Sequence, residues 1–456
     1  MSNFLPPEIS SHQIRLSKEA LQWMEEHIDK NLPLEKFTDK LFDLIEQNEI
    51  IDAEIAYMAC KAGVMTSKLA KVVKLGEAKH PAIKAYQALA YMFMNNFILA
   101  EEYIEKAETE AEKLDDVLVL AEIYGIKIYL YNARYQFFQG VKIIQKAFEV
   151  LDKGKNKLIV ETNPTFLQWI RISGAKSLLK LGNIPEALYT NKRALKLSND
   201  RFFKAFSLLG IGHCYDLIGK TNESIQYYKR ALKHASEIKS YNLISIIYNR
   251  LGMALAWRMD KPTDGETYFS EAIISAERGE SLWLKEGPQW NLIALYRAKK
   301  DYISAINEIE EIIDSARVVG ESRTELIALL NLGELLEEKG DLKEATKVRE
   351  AADSLATLIG IDVEEFYESD DEDQADDSDD EFDDNIDIDE EDTYEASNES
   401  EYDYYKKDDS LFVDDEENSD VFEKEEDQSK YQTDEDFTED YDDSDDILRK
   451  FFEKKT

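Results

Sequence analysis

The residues that most often do chemistry in proteins are few or scattered in this chain. Its two cysteines, Cys60 and Cys214, match neither a disulfide framework nor a paired metal site by their spacing. The five histidines form no pair at metal-ligand spacing on one helix, and Asp and Glu are too numerous for any carboxylate pair to stand out. No Gly-rich phosphate loop or nucleophile elbow occurs. The sequence therefore predicts a protein that is not an enzyme and that uses no metal or cofactor.

One segment near the N-terminus carries residues that could contact nucleic acid. Between residues 50 and 76, Gly63 stands where a helix-turn-helix has its turn, with small and apolar residues at the flanking positions. The second helix of such a unit would present three lysines, Lys68, Lys71 and Lys74. The same residues suit an ordinary packed hairpin, and the segment 33–54 beside it is acidic. We expect a packed hairpin without a nucleic-acid partner, and keep a transcriptional or signalling regulator as the alternative.

Internal similarity is the most informative feature of the sequence. Gly212, Gly252, Ile293 and Gly333 occupy one equivalent position at intervals of 40, 41 and 40 residues. Each is followed by a second segment with regularly spaced Ala and aromatic residues. Small residues let two antiparallel helices approach closely, and large residues fill the gap to the next pair. The one extra residue is expected in the turn at 260–264, where an insertion is tolerated.

The repeated segments resemble the tetratricopeptide (TPR) family. The clearest is Leu208-x2-Ile211-Gly212-x2-Tyr215, followed by Ser224-x3-Tyr228-x2-Ala231. The period of about 40 residues is similar to that of the longer variant of the family. The resemblance implies an all-α fold, a right-handed superhelical solenoid of TPR-like helical hairpins, and the composition of the C-terminal part predicts that a disordered acidic tail follows it. The expected division is an N-terminal helical region or cap at 1–80, about seven hairpins at 81–360 and the tail at 361–456.

The resemblance also implies where a ligand binds, because the first helix of each hairpin lines the groove in this family. Asn291 and Asn331 each stand two residues before the position of the repeated glycine, similar to an asparagine ladder that holds an extended peptide. An Asn side chain suits this role because it donates and accepts hydrogen bonds. A solvated or helix-capping Asn is the other interpretation. The candidate groove residues are His213, Asp216, Asn249, Arg250, Trp290, Asn291, Arg297, Asn331 and Glu334.

Charge separates the chain into a nearly neutral body and an acidic tail. The net charge is −41, and residues 361–456 alone hold 45 Asp or Glu and 8 Lys or Arg. High charge with little aliphatic content predicts disorder. Fourteen aromatic residues are spread among these acids, a pattern that suits a basic partner with apolar pockets. A tail that binds a basic protein, in the manner of a histone chaperone, and a tail that regulates the groove both remain open.

The last twelve residues differ from the rest of the tail. Acids come first and bases last, as the dipole of a helix favours. Four apolar residues fall on one face of that helix and are candidates for docking to a groove: Ile447, Leu448, Phe451 and Phe452. A frayed apolar terminus is the other interpretation.

These observations together predict a protein–protein interaction scaffold or adaptor. Its expected partners are a peptide or protein in the groove and a basic protein on the tail. No apolar run approaches the roughly 20 residues that cross a bilayer, and the N-terminus lacks the features of a signal peptide. Membrane insertion is therefore not expected, and the expected location is the cytoplasm, or also the nucleus if the source cell has one.

Overall fold

A computed structural model describes residues 5–10, 16–29, 31–47, 52–75, 80–114, 116–151, 155–156, 159 and 164–361. Within these ranges the regular elements are helices and no strand occurs. Five helices precede the repeats: α1 (Pro7–Ser10), α2 (Lys18–His27), α3 (Leu34–Gln47), α4 (Ala53–Met65) and α5 (Leu69–Lys74). The acidic residues from 362 onward lie outside the described residues.

The described chain from residue 81 to 359 forms seven helical hairpins. In each hairpin we call the first helix A and the second B. The pairs are α6 (Pro81–Phe93) and α7 (Phe97–Leu114), α8 (Val117–Ala133) and α9 (Phe137–Leu151), α10 (Gln168–Lys180) and α11 (Ile184–Leu197), α12 (Arg201–Leu217) and α13 (Thr221–Glu237), α14 (Tyr241–Met253) and α15 (Pro262–Arg278), α16 (Leu282–Ala298) and α17 (Tyr302–Val319), and α18 (Ser322–Lys339) and α19 (Leu342–Ile359). The all-α solenoid of TPR-like hairpins is confirmed.

Small residues on the A helices allow the close packing that the repeat predicts. A Cβ atom added at Gly212 would stand 2.6 Å from the ring of Tyr228, and one added at Gly252 would stand 2.5 Å from the ring of Phe269. Tyr228 and Phe269 are both fully buried. These two glycines therefore make room for a large ring on the B helix of the same hairpin.

The turn between the A and B helices has nearly the same form in every hairpin. It contains one residue in the left-handed conformation, which glycine adopts without strain and other residues adopt at a cost of about 1–2 kcal/mol. Glycine holds this position in the third, fourth and seventh hairpins, at Gly182, Gly219 and Gly340. The first, second, fifth and sixth hairpins use Asn95, Tyr135, Asp260 and Lys300.

The extra residue of the fifth hairpin lies in the helix and not in the turn at 260–264, so that expectation is wrong. Residues Ala254–Arg258 at the end of α14 form a π-helix, in which Met259 N–H donates to the carbonyl of Ala254, five residues back, at 3.2 Å. A single π-turn takes in one more residue than an α-turn and leaves both flanks helical. The turn that follows keeps the three-residue length found in the fourth hairpin, so its left-handed geometry is preserved.

The N-terminal helices share a core with the hairpins. Eleven of the thirteen residues of α4 are buried, and α4 packs against α6 of the first hairpin. Tyr57 and Lys61 of α4 meet Glu122 of α8, where the Lys61 ammonium lies 2.7 Å from the Glu122 carboxylate. The hydroxyls of Tyr57 and Tyr86 each donate to the same carboxylate at 2.6 Å. A buried polar cluster therefore ties α4 to the first two hairpins.

Contacts that are distant in sequence join the same N-terminal region to the fifth and sixth hairpins. The Ala70 N–H donates to the Glu280 carboxylate at 2.8 Å, across 210 positions of sequence. The Ser281 hydroxyl donates to the carbonyl of Phe93 at 2.7 Å, and the ring of Trp283 lies 6.1 Å from that of Phe93. The start of α16 therefore packs onto the end of α6, although the two helices belong to the sixth and first hairpins.

Candidate functional site

Two asparagines predicted to line the groove meet across neighbouring A helices. Asn291 of α16 donates through Nδ2 to Asn249 Oδ1 of α14 at 3.1 Å, and also to the carbonyl of Gly287 at 3.1 Å. Both side chains are half-buried. The fifth and sixth hairpins thus present a linked pair of amides at the surface.

The exposed ring of Trp257 completes this group. Its Nε1 donates to Asn291 Oδ1 at 3.4 Å, and 39% of the residue is exposed. The π-turn at Ala254–Arg258 contains this residue. One inserted residue turns everything after it by about 100° relative to a continuous α-helix. The sequence showed the insertion through the 41-residue interval, but the connection with Trp257 was missed.

The sixth and seventh hairpins are joined by an ion cluster on their A helices. Arg297 of α16 donates through Nε to the Glu338 carboxylate at 2.9 Å, and its NH2 group also reaches Glu338. The same NH2 group donates to Glu334 of α18 at 3.4 Å. Burial is partial, so each pair contributes at most about 1 kcal/mol to stability. Arg297 and Glu334, both groove candidates, therefore lie side by side.

His213 of α12 and Arg250 of α14 lie in a basic part of the A-helix surface. Burial is the first cause that holds the pKa of His213 well below its usual range, followed by the positive charges of Arg250, Lys180 and Lys176. The imidazole is therefore neutral at physiological pH and can both donate and accept a hydrogen bond. Asp216, the next candidate on α12, is half-buried.

The remaining two candidates are placed differently from the amide pair. Trp290 is half-buried and packs against the apolar core of the sixth and seventh hairpins. Asn331 of α18 donates through Nδ2 to the carbonyl of Ile327, four residues back, at 3.0 Å. The Asn331 side chain is half-buried. The structure thus brings together Asn249 and Asn291, whereas Asn331 is bonded within its own helix.

The geometry of residues 52–75 argues against a DNA-reading unit. The second helix, α5, has only six residues. Lys68 pairs with Asp39 of α3 at 3.2 Å, and Lys71 lies 3.6 Å from Asp43 of α3. A Cβ on Gly63 would stand 2.5 Å from Val72, so this glycine allows α4 and α5 to pack closely. The segment has the features of the packed hairpin.

Three further predictions concern absent or undescribed features. The described residues contain no group of three or more His, Cys, Asp or Glu placed to hold a metal ion. Among the helices that the structure describes, none combines the length and apolar character needed to cross a membrane. The tail docking candidates, Ile447, Leu448, Phe451 and Phe452, lie outside the described residues.

The sequence was compared with curated proteins and with models of protein families. No curated protein matches the sequence. The family model for the tetratricopeptide repeat matches residues 207–236, which fall in the fourth hairpin, from within α12 to within α13. The fourth hairpin is a tetratricopeptide repeat. The match lies on the segment with the clearest repeat, and the resemblance seen in the sequence is confirmed.

Several solved structures resemble this chain at low sequence identity. A Rap protein complexed with competence and sporulation factor is 16% identical with a TM-score of 0.45, over 72% of this chain and 92% of that chain. Aspartyl phosphate phosphatase F from Bacillus subtilis is 13% identical with a TM-score of 0.41, over 79% and 97%. BtubC from P. vanneervenii is 19% identical with a TM-score of 0.37, over 54% and 93%.

Proposed function

We propose that this TPR protein is a protein–protein interaction scaffold that binds an extended peptide segment along α14, α16 and α18. The observation that carries the proposal is the hydrogen-bonded pair of Asn249 and Asn291, which lies beside the exposed ring of Trp257. A peptide backbone alternates donors and acceptors, and side-chain amides match both. The indole ring adds apolar area that a ligand can cover.

Charged residues on either side of the amide pair favour a ligand that is acidic at one end and basic at the other. Arg250 lies on α14, close enough to lower the pKa of His213. Glu334 and Glu338 lie on α18 at the other end of the site, where Arg297 partly neutralises them. A ligand with acids toward the fourth hairpin and bases toward the seventh therefore suits the surface. This order of charges would fix the direction in which the peptide lies.

We also propose roles for the regions before and after the hairpins. Residues 1–80 are proposed as a region that packs onto the hairpins at 81–360, since α4 is buried in the core that the two share. Residues 361–456 are proposed as a second interaction region, based on their acids and aromatic residues. A scaffold has no catalytic step, and we propose no enzymatic activity.

A displayed library of random peptides, selected on the full-length protein, tests the proposed groove. Peptides that bind the wild type should lose about tenfold or more in affinity for Asn249→Ala/Asn291→Ala, because each lost hydrogen bond contributes about 0.5–1.5 kcal/mol. The exposed Asn222 on α13 supplies the matched control, Asn222→Ala, which should bind as the wild type does. Selection of no peptide, or equal binding by both variants, would contradict the proposal.

A further inference from the structure

Two consecutive B helices of the solenoid contain the same five-residue sequence. Residues 192–196 of α11 and residues 229–233 of α13 both read Lys-Arg-Ala-Leu-Lys. The two alanines, Ala194 and Ala231, are fully buried, and each follows the left-handed glycine of its A–B turn by twelve residues. The two segments therefore hold the same place in the third and fourth hairpins, and their cations lie at equivalent positions. These cations are Lys192, Arg193 and Lys196 on α11 and Lys229, Arg230 and Lys233 on α13.

This set of three cations is confined to the third and fourth hairpins. Counted in the same way from the left-handed residue of the turn, the sixth hairpin has Glu310, Glu311 and Asp314 at these positions. The first, second, fifth and seventh hairpins each have one acid and at most one lysine there. Two basic B helices are therefore bordered on both sides by hairpins that have acids at the same positions.

The B helices lie on the outer side of the solenoid, away from the groove. The A helices of neighbouring hairpins pack against each other, as α8 and α10 or α14 and α16 do. Among the helices that the structure describes, no two neighbouring B helices pack in this way. Of the six cations, Lys192 and Arg193 are half-buried and the other four are exposed. A partner can therefore reach them from outside without entering the groove.

Three of the six cations keep their charge unpaired. Lys192, Lys229 and Lys233 form no ion pair within the part of the chain that the structure describes. The other three cations have contacts of their own. One such contact joins Arg230 to the ring of Tyr227, whose centre lies 5.4 Å from the guanidinium carbon. We define the basic face by the three lysines, Lys192, Lys229 and Lys233.

The surroundings of the basic face favour an acidic peptide segment over other anions. No large apolar side chain of α11 or α13 is exposed, so a membrane surface would gain no apolar burial there. The Tyr227 ring is stacked on the Tyr215 ring at 5.2 Å, so it offers no open platform for nucleic-acid bases. A long polyanion that continued along the solenoid would also meet the acids of the sixth hairpin. A short run of Asp and Glu meets the cations without these costs.

We propose that the basic face of α11 and α13 binds a short acidic segment of a partner protein. The face is separate from the amide pair of the groove, so the scaffold can hold one ligand on each side. Attraction between opposite charges accelerates such an association and makes it sensitive to salt.

Fluorescence anisotropy of a labelled peptide of ten glutamates, titrated with the full-length protein, tests the proposal. Binding should weaken about tenfold or more between about 0.1 M and about 1 M salt, because the Debye length falls from about 10 Å to about 3 Å. In Lys229→Glu/Lys233→Glu the affinity should fall about fivefold or more, since each reversal removes an attraction and adds a repulsion. If this variant loses helicity, Lys229→Gln/Lys233→Gln should still bind about twofold more weakly.

The seventh hairpin supplies the matched control. Lys343 and Lys347 are exposed on α19 and have the same spacing as Lys229 and Lys233. Lys343→Glu/Lys347→Glu therefore changes the net charge by the same amount and should bind the peptide as the wild type does.

Carbodiimide cross-linking of the bound peptide locates the contact, because the reagent joins a carboxylate to a touching lysine amine. Mass spectrometry should find the peptide on Lys192, Lys229 and Lys233. Asn249→Ala/Asn291→Ala should leave these links unchanged, so the groove proposal is tested separately.

Three results would overturn the proposal. The first is an equal loss of affinity in Lys229→Glu/Lys233→Glu and in the control variant. The second is a peptide linked only to lysines outside α11 and α13. The third is tighter binding, through the same lysines, of a single-stranded oligonucleotide with ten phosphates or of phosphatidylserine vesicles, which would identify a nucleic acid or a membrane as the occupant.

Discussion

Replacing Glu122 by Ala removes the centre of the buried polar cluster between α4, α6 and α8. The carboxylate pairs with the fully buried Lys61 ammonium at 2.7 Å and accepts hydrogen bonds from Tyr57 and Tyr86. Burial, followed by the negative charge of Glu122, raises the pKa of Tyr86. Its hydroxyl therefore stays protonated as a donor. In Glu122→Ala, one ammonium and two hydroxyls lose this acceptor together.

The expected fall in the Tm of Glu122→Ala follows from the cost of breaking a buried ion pair. Removing one partner of such a pair costs about 3–5 kcal/mol, because the other charge stays buried without compensation. At about 2.1 cal/mol/K per residue, a body of roughly 350 residues unfolds with an entropy of about 0.7 kcal/mol/K. The expected fall in Tm is therefore about 4–7 °C. The double variant Lys61→Met/Glu122→Gln removes both charges, and we expect it to recover most of this loss.

Thermal unfolding followed by circular dichroism measures the change. Glu102→Ala is the control, since Glu102 pairs with Lys106 on the exposed face of α7, where such pairs contribute about 0–1 kcal/mol. A Tm for Glu122→Ala within about 1 °C of that control would refute the reasoning. The reasoning would also be refuted if Lys61→Met/Glu122→Gln lost as much stability as Lys61→Met and Glu122→Gln lose separately, added together. The free energies of two coupled partners are not additive.

Three further outcomes are expected from the same structure. Gly125→Ala should lower the free energy of unfolding by about 1–3 kcal/mol, since its Cβ would stand 2.5 Å from the backbone nitrogen of Ile170. Denaturant titration measures this loss. Gly287→Ala is the control that should be tolerated, because its Cβ would meet only Asn249 Nδ2, at 3.5 Å. Deleting Leu255 from the π-turn should preserve the helical circular dichroism signal and keep Tm within a few degrees, whereas deleting Asp260 from the minimal turn should lower Tm clearly. Burial raises the pKa of Asp200 to about 7, so the folded protein binds this proton more tightly than the unfolded chain, and the contribution to stability falls as pH rises from about 4 to 7. Asp200→Asn keeps a side-chain oxygen to cap α12 and should reduce the loss of Tm between pH 5 and pH 8.

The repeat was predictable because it depends on spacing that the sequence shows directly. Gly212 precedes Tyr228 by 16 residues and Gly252 precedes Phe269 by 17, so the spacing recurs apart from the one residue inserted in the fifth hairpin. Local periodicity of this kind specifies helices, turns and the contact between them. The hairpins from residue 205 onward were therefore evident before any coordinates.

The position of the extra residue was not predictable from spacing alone. An interval of 41 shows that one residue is added between Gly252 and Ile293, but a turn and a π-helix are equally compatible with the count. The structure decides for the π-helix, because the turn with Asp260 in the left-handed conformation already has its minimal length. Insertion into the helix retains that turn.

The N-terminal contacts were invisible for a different reason. Lys61, Glu122 and Asp200 look like ordinary surface charges in the sequence, where Asp and Glu occur everywhere. Their burial results from contacts between helices far apart along the chain, for which no periodic pattern exists. The same holds for the amide pair, since Asn249 and Asn291 occupy different positions in their repeats and meet only in three dimensions.

The contact between Ala70 and Glu280 has a consequence for how the protein is made. A ribosome that adds about 5–20 residues per second needs roughly 10–40 s to pass from one residue to the other. During this interval α4 and α5 have left the exit tunnel while the helices that complete their surroundings do not yet exist. The nascent chain therefore exposes the end of α6, where the Phe93 ring later packs beside Trp283, for many seconds. Synthesis of this protein should consequently depend on factors that shield apolar segments, more than the synthesis of a solenoid whose repeats contact only their neighbours.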